Sequence, residues 1–269
     1  MTNNKQDSYR SIMKATSLFG GVQVYQILIS LIKSKLVAVI IGPEGLGIMS
    51  LYQNGLSLIQ SVSSMGLSTS AVRDVSKANN DGDSSRISYI VAVVRKLVRY
   101  TGLIGLLLVL FLSPILSKIS FGNYDYAIPY ALLSVTLLID QLCVGQKVVL
   151  QGMRRLGYLA KSMAIGSTLG LIVSIPLYYF IGVKGIVPTL ILNSVTAFVL
   201  SSFFASKLNI EKVTVGLALA LKEGSQMMKM GLSMSLTNIV GYITAYAMSW
   251  FIRSIGELKR SGFFKQAMQ

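Results

Sequence analysis

The sequence predicts an all-α, polytopic transmembrane helix bundle, and three observations support this prediction. Hydrophobic residues make up 52% of the 269 residues, and charged residues only 13%, far below the quarter that is usual in soluble domains. The mean hydropathy is positive, at +0.62. Seven apolar segments are long enough to cross a bilayer as α-helices. They comprise residues 17–41, 47–70, 98–119, 127–150, 163–181, 186–204 and 231–252.

The first segment and the turn after it show why each segment is predicted to span. From Leu18 to Ile41 there are 24 residues, enough for a hydrocarbon layer about 30 Å thick at about 1.5 Å per residue. Gly42–Leu46 and Gly182–Gly185 are glycine-marked tight turns. The longer connections, Arg73–Arg99, Gly152–Ser162 and Ser206–Met230, are basic. We expect an eighth helix to begin at Phe263–Gln269.

The distribution of basic residues predicts the orientation. With a cytoplasmic N-terminus, 17 lysines and arginines fall on the inner side and 5 on the outer side. The positive-inside rule therefore predicts a multi-pass membrane protein with its N-terminus in the cytoplasm. Residues 213–230 are apolar and then charged, which indicates an amphipathic connector along the inner surface.

Several function classes are excluded by the inventory of residues. The chain has no histidine and one cysteine, so disulfides, zinc sites and Cys/His nucleophiles are excluded. No metal or cofactor is expected. The net charge of +15 does not indicate nucleic-acid binding, because the basic residues lie between apolar segments. Asp74, Asp81 and Asp83 lie among basic residues and indicate a solvated loop, so no enzyme is predicted.

Polar residues of the first segment recur on one helical face. Gln26, Ser30 and Lys33 follow Gln23 at helical spacing, whereas Lys35 lies about 200° round the helix from Lys33. A lysine inside a membrane indicates a functional site by default. Periodicity therefore favours Lys33 as the cavity-facing cation, with a salt bridge or snorkelling as the alternative; Lys35 could snorkel to the outer interface.

Two further segments carry polar faces that either line a wet path or join helices by hydrogen bonds. The second segment contributes Gln53, Ser57, Gln60 and Ser64, and the seventh contributes Ser235, Asn238, Tyr242 and Ser249. Asp140 is the acidic residue near the middle of a segment. Three roles remain open for it: partner of a lysine, coupling to an ion, or a protonated group in a helix contact.

Three stretches carry a resemblance to a known family. Leu36–Lys77, with its IGPEGLGIMSLYQ turn, resembles the Wzx-type O-antigen translocases, which are polysaccharide flippases related to MATE exporters. FGNYDY at Phe121–Tyr126 and the stretch QGMRRLGYLAKSMAIGSTLGLIVSIPLYYFIGVKGIVPTLI are also similar to this family.

The resemblance implies two helical lobes that face each other across a central cavity. It implies transport of an undecaprenyl-diphosphate-linked oligosaccharide, the O-antigen unit of lipopolysaccharide, from the inner to the outer leaflet. It also places a cavity cation at Lys35, where periodicity favours Lys33. We therefore expect an N-terminal six-helix MATE-like lobe at residues 1–205, the connector at 206–230 and the start of a truncated second lobe at 231–269.

Two alternatives to the flippase remain from the sequence. One is a MATE-like multidrug exporter, which would need acidic residues in its cavity. The other is an inactive fragment or a non-transporting membrane subunit. The expected partners are lipid-linked oligosaccharide, membrane lipid, and other polysaccharide-assembly proteins or a second lobe.

Overall fold

The structure is a bundle of long α-helices, which confirms the predicted fold class. The computed structural model describes residues 2–211, 213–225, 227, 240, 241, 243, 244, 247 and 248, and only the backbone of residues 2–16 and 18. Within these ranges there is no strand. The helices are α1 (Thr2–Ser64), α2 (Leu67–Asp81), α3 (Ser84–Phe121), α4 (Ala127–Gly152), α5 (Leu156–Ile181) and α6 (Ile186–Ser206).

Four stretches of the described chain are long and apolar enough to span a membrane, and two of them have twice the required length. Phe19–Ser64 has 46 residues and Leu156–Ser206 has 51, whereas Ser84–Phe121 and Ala127–Gly152 are single helices. A helix needs about 20 residues to cross the hydrocarbon layer. Each of the two longer stretches is therefore long enough to cross twice.

Both long stretches fold back at the glycine turns that the sequence predicts. Gly42 breaks α1 with φ 74° and ψ 176°, a left-handed φ that glycine adopts without strain. The two halves of α1 then pack together, since Val37 and Tyr52 lie in one hydrophobic cluster. A 3₁₀ turn at Gly182–Gly185 separates α5 from α6. The result is two helical hairpins. The two halves of α1 form the first, which precedes α3 and α4 in the sequence, and α5 with α6 forms the second, which follows them.

The region between the second and third predicted segments differs from the expectation. The second half of α1 ends at Ser64 rather than at residue 70, and the predicted loop Arg73–Arg99 is almost entirely helical, in α2 and the first part of α3. The physical reason is that one face of each helix is apolar, but charged residues lie between the apolar residues in the sequence and lower the hydropathy of the stretch. In α2, Ala71, Val75 and Ala78 are fully buried while Arg73 and Lys77 are exposed.

Three hydrophobic clusters hold the described part of the bundle, and the smallest, around Leu150 and Phe204, joins α4, α5 and α6. The turn-side cluster lies near the Gly42 turn and includes Val37, Tyr52, Phe121 and Tyr130. Here the Tyr130 hydroxyl is 2.9 Å from Ser120 Oγ and donates to the Leu51 carbonyl at 3.1 Å. The α2-side cluster joins α2, the first part of α3 and the end of α4. It contains Leu67, Ala71, Val75, Ala78, Val91, Val94, Leu97, Val98, Val148, Val149, Ala220 and Met227.

Part of the predicted connector packs on this α2-side cluster. Residues 217–225 are helical, and Ala220 is fully buried against the cluster. A Cβ at position 224 would lie 2.5 Å from Leu97 Cδ1, so glycine permits this close approach. Most of the seventh predicted segment, and the predicted eighth helix at Phe263–Gln269, lie outside the described residues.

Candidate functional site

A cavity of about 470 Å³ lies between α1, α4, α5 and α6. Both halves of the α1 hairpin reach it, with Gln26, Ser30 and Lys33 on the first half and Gln53 on the second. The first three residues are spaced by four and three positions, so one helical face presents them all. The remaining polar wall comes from Lys147 of α4, Ser162 and Ser167 of α5, and Asn193 and Ser194 of α6.

Two lysines from different helices line this cavity. Lys33 comes from the middle of the first half of α1, and Lys147 comes from the last part of α4. Both side chains are partly buried. The charge count of the sequence places Lys147 on the inner side, near the end of the predicted segment 127–150, and the structure shows that it lies on α4 at the cavity wall. The cavity wall therefore carries two cations and, among its lining residues, no carboxylate.

Asp140 lies beside this cavity on the same face of α4 as Lys147. The two residues are seven positions apart, about two helical turns. The Ser194 hydroxyl hydrogen-bonds to the Asp140 carboxylate, and Lys147 attracts it electrostatically. Asp140 thus contacts the cavity wall through Ser194, which lines the cavity. The three roles that the sequence leaves open for Asp140, as partner of a lysine, in ion coupling or as a protonated group in a helix contact, stay predictions.

Asn193 is a site residue that the sequence interpretation missed. Its Oδ1 atom is buried and, among the residues that the structure describes, has no hydrogen-bond partner. The same atom lies against Gly170, where an added Cβ would come within 2.9 Å of it. An acceptor without a partner in a cavity wall is available to a donor on a ligand. The available signal was an amide side chain in the middle of the apolar segment 186–204.

The structure separates the residues predicted for the site. Gln26, Lys33 and Gln53 meet at the cavity. Lys35 has an exposed side chain and is not among the lining residues, because it lies on another face of α1. Gln60 is partly buried on the second half of α1 and is not among the residues that line the cavity. Asn238 lies outside the described residues, as do Ser235, Tyr242 and Ser249.

Hydrogen bonds between helices are made largely by other polar residues than those predicted. Tyr25 and Thr168 join α1 to α5 through their hydroxyls at 2.7 Å. The Gln141 amide of α4 donates to Thr101 of α3 at 3.0 Å. By contrast, Ser30 donates to the Ile27 carbonyl in its own helix. The Gln26, Lys33 and Gln53 side chains line the cavity and take part in neither of these two interhelical hydrogen bonds.

The arrangement suits a ligand that carries negative charge and hydroxyl groups. Two ammonium groups can bind phosphate oxygens, and the amides of Gln26, Gln53 and Asn193 can exchange hydrogen bonds with hydroxyls. Within the described part of the chain, no group of three or more His, Cys, Asp or Glu residues could hold a metal ion. The lining side chains therefore offer a ligand two positive charges together with amide and hydroxyl groups for hydrogen bonds.

Comparison with known proteins gives one match. Residues 12–269 match the family model described as Polysaccharide biosynthesis protein. No curated protein and no solved structure matches the chain. Because the match extends from the first helix to the last residue, this membrane protein belongs to the polysaccharide biosynthesis protein family.

Proposed function

We propose that this protein acts in a flippase that moves an undecaprenyl-diphosphate-linked oligosaccharide, an O-antigen unit, from the inner to the outer leaflet. The observation that carries the proposal is the meeting of Lys33 and Lys147 in one cavity inside a membrane bundle. Membership of the polysaccharide biosynthesis family supports the glycan as cargo. The resemblance to Wzx-type translocases supports the lipid-linked form.

The diphosphate is the part of this cargo that the two lysines would recognise. An ammonium group away from water is costly unless an anion or a polar group accompanies it. A diphosphate provides several acceptor oxygens for the two ammonium groups. Gln26, Gln53 and the Asn193 oxygen would then bind hydroxyls of the sugar next to the diphosphate. A cavity of about 470 Å³ is within the range of about 300 to 1,000 Å³ typical of small-molecule sites.

In this proposal the protein is a transporter and not an enzyme. The lobe 1–205 would face a second lobe, and alternating access would expose the cavity to one leaflet at a time. The second lobe would come from residues after 231 or from a partner polypeptide among the polysaccharide-assembly proteins. The excess of basic residues at one end of the bundle supports a cytoplasmic N-terminus in the inner membrane of a bacterium.

A multidrug exporter of the MATE type is less well supported. An exporter of cationic compounds needs carboxylates that face the cargo, and the cavity is lined by two lysines. Asp140, the nearby carboxylate, is already bonded to Ser194 and attracted by Lys147. A cationic drug would therefore meet net positive charge. The charge of the wall favours an anionic cargo.

Measuring the amount of surface glycan on the source bacterium tests the proposal. Deleting the gene should abolish the surface glycan, and restoring the natural chain should return it. Lys33→Met and Lys147→Met keep a long side chain but remove the charge. Each loses a charge-assisted contact of about 1.5 to 3 kcal/mol, equivalent to about 10- to 150-fold weaker binding of the diphosphate. We expect each variant to reduce surface glycan strongly.

Lys35→Met is the matched control, since it removes the same charge two residues from Lys33 on the exposed side of α1. It should leave surface glycan at the natural level, with all variants compared at equal amounts in the membrane. Normal glycan in Lys33→Met together with loss in Lys35→Met would overturn the assignment of the cavity. Normal glycan after deletion of the gene would instead support the non-transporting subunit or fragment.

A further inference from the structure

A second cavity, of about 500 Å³, lies between the first part of α3 and residues 211–215. It is distinct from the Lys33 cavity, with which it shares no lining residue. Three cations line it, namely Arg95, Lys96 and Arg99. Among the described residues that line it, Glu211 is the single carboxylate. The wall therefore carries an excess of two positive charges.

The segment that follows α6 forms one wall of this cavity. Lys96 Nζ donates a hydrogen bond to the Val215 carbonyl at 2.7 Å, which ties this segment to α3. Ala220 and Gly224 pack against the α2-side cluster just beyond it. The cavity is thus closed on one side by α3 and on the other by a chain segment with a fixed position.

The two arginines lie close together, and the one carboxylate of Glu211 balances only part of the positive charge of the described cavity wall. They are four residues apart on one face of α3, and Arg99 repels Arg95 electrostatically. The Nε atom of Arg95 is buried and has no hydrogen-bond partner within the described ranges of the chain. A buried donor of a charged group that lacks a partner is unfavourable. An anion with several oxygens would satisfy this donor and relieve the repulsion.

Phosphate is the anion that fits this arrangement. Guanidinium groups present two parallel N–H donors, which match two oxygens of a phosphate group. A carboxylate presents two oxygens in the same geometry but carries only one negative charge. Glu211 already places one carboxylate in the cavity wall. A phosphate group bound between Arg95 and Arg99 would therefore complete the cavity.

The depth of the cavity in the bilayer indicates where the phosphate comes from. Arg95 and Arg99 lie 26 and 22 residues before Phe121, the last residue of α3. At about 1.5 Å per residue these intervals are about 39 and 33 Å. The hydrocarbon layer is about 30 Å thick, and the headgroup regions extend the bilayer to about 40 to 45 Å. With Phe121 at one surface, both arginines lie at the headgroup level of the other surface.

Apolar side chains beside the cavity support a lipid as the source. Val213 lines the cavity and is exposed, and Leu217, Leu219 and Leu221 are 39–49% exposed on the helical segment that follows. Exposed leucines close to cations are typical of segments that lie in the membrane interface. A soluble phosphate would need the three cations only. A lipid would use both the cations and the leucines.

We propose that this cavity binds the phosphate group of an anionic phospholipid at the membrane surface, and that the bound lipid holds the connector onto α3. The site is independent of cargo recognition by Lys33 and Lys147. The shared chemistry is a phosphate group, and a soluble phosphate is the other possible source. The proposal predicts a preference for anionic over zwitterionic lipid that depends on Arg95 and Arg99.

Native mass spectrometry of the full chain, purified in detergent and stripped of lipid, tests the proposal. The probes are phosphatidylglycerol, phosphatidylcholine with the same acyl chains, and sodium pyrophosphate. We expect phosphatidylglycerol to bind more tightly than phosphatidylcholine. The double variant Arg95→Gln/Arg99→Gln should weaken phosphatidylglycerol binding by at least about tenfold, the loss typical of charge-assisted contacts. Arg86→Gln, on the same helix but outside this cavity, should bind as the natural chain does.

Glu211→Gln provides a test that does not depend on the stability of the double variant. It removes the carboxylate that competes with the phosphate, so phosphatidylglycerol should bind more tightly than to the natural chain. Equal binding of both lipids, or binding that neither the double variant nor Glu211→Gln changes, would overturn the proposal. Pyrophosphate binding that is lost in the double variant, without any lipid preference, would support a phosphate site and overturn the lipid as its source.

Discussion

Replacing Gly152 with alanine should destabilise the protein through a clash between α4 and α2. Gly152 is the last residue of α4, and an added Cβ would lie 2.6 Å from both Cβ and Cγ1 of Val75 and 3.3 Å from the Val72 carbonyl oxygen. Carbon atoms in contact are normally about 3.5 to 4.0 Å apart. Val75 is fully buried. The α2 helix would therefore have to move by about 1 Å to restore normal contact distances.

The expected loss follows from the cost of overpacking a core. Inserting one carbon atom into a well-packed contact costs about 1 to 3 kcal/mol of unfolding free energy. The gain in helix propensity from glycine to alanine is at most about 1 kcal/mol and is small at a helix end. In a chain of this size, about 1 kcal/mol corresponds to about 2 to 4 °C in the unfolding midpoint. We expect Gly152→Ala to lower the midpoint by several degrees.

Gly166→Ala is the matched control in the same assay. Its added Cβ would lie 3.6 Å from Leu200 Cδ1, an ordinary contact, in the interior of α5. Thermal unfolding of the detergent-purified chain, followed by size-exclusion chromatography, should show a midpoint for this variant equal to or above that of the natural chain. If Gly152→Ala and Gly166→Ala unfold at the same temperature, the close packing of α2 on α4 is refuted.

Three further changes test the hydrogen bonds and charges of the bundle. Tyr130→Phe removes a buried hydroxyl that is bonded to two partners and should lower the unfolding midpoint, at a cost of about 1 to 2 kcal/mol; an unchanged midpoint would contradict this. Burial raises the pKa of Asp74 above its ordinary value of 3.8, although Arg73 and Lys77 oppose the shift. The folded state then favours the protonated form, so stability is present below pH 3.8 and falls as the pH rises through the raised pKa. Asp74→Asn should therefore raise the free energy of unfolding at pH 7 by less than about 1 kcal/mol, and so raise the midpoint, but it should give no increase below pH 3.8. An equal difference in midpoint between the variant and the natural chain at both pH values would contradict the assignment. Asp140→Asn keeps a side chain that can hydrogen-bond to Ser194 but removes the negative charge. If Asp140 couples transport to an ion, this variant should reduce the amount of surface glycan while the unfolding midpoint stays that of the natural chain. A normal amount of surface glycan would exclude ion coupling at Asp140.

The sequence predicts the helix ends at the turn side well and the opposite ends poorly. Two predicted segments start at 127 and 186, where α4 and α6 start, and a third ends at 181, where α5 ends. At these points glycines interrupt the helices, and glycine is visible in a sequence. On the opposite side, α3 and α5 start at Ser84 and Leu156, before the predicted 98 and 163, because basic residues lower the hydropathy there while the helix continues. A charged residue ends an apolar segment without ending a helix, since its side chain reaches water while the backbone stays helical.

The helix periodicity of α1 by itself determined that Lys33 and Lys35 point to different sides, because 100° per residue is a local property of the chain. Only the tertiary structure decided which side is the cavity, and it places Lys33 there and Lys35 on the exposed surface. Lys147 and Asn193 are far from Lys33 in the sequence, and no local pattern joins them. They meet because the turns at Gly42 and Gly182–Gly185 fold two long helical stretches into hairpins that pack on α4. Long-range packing is a property of side-chain shapes on several helices at once, which a pattern within one helix does not contain.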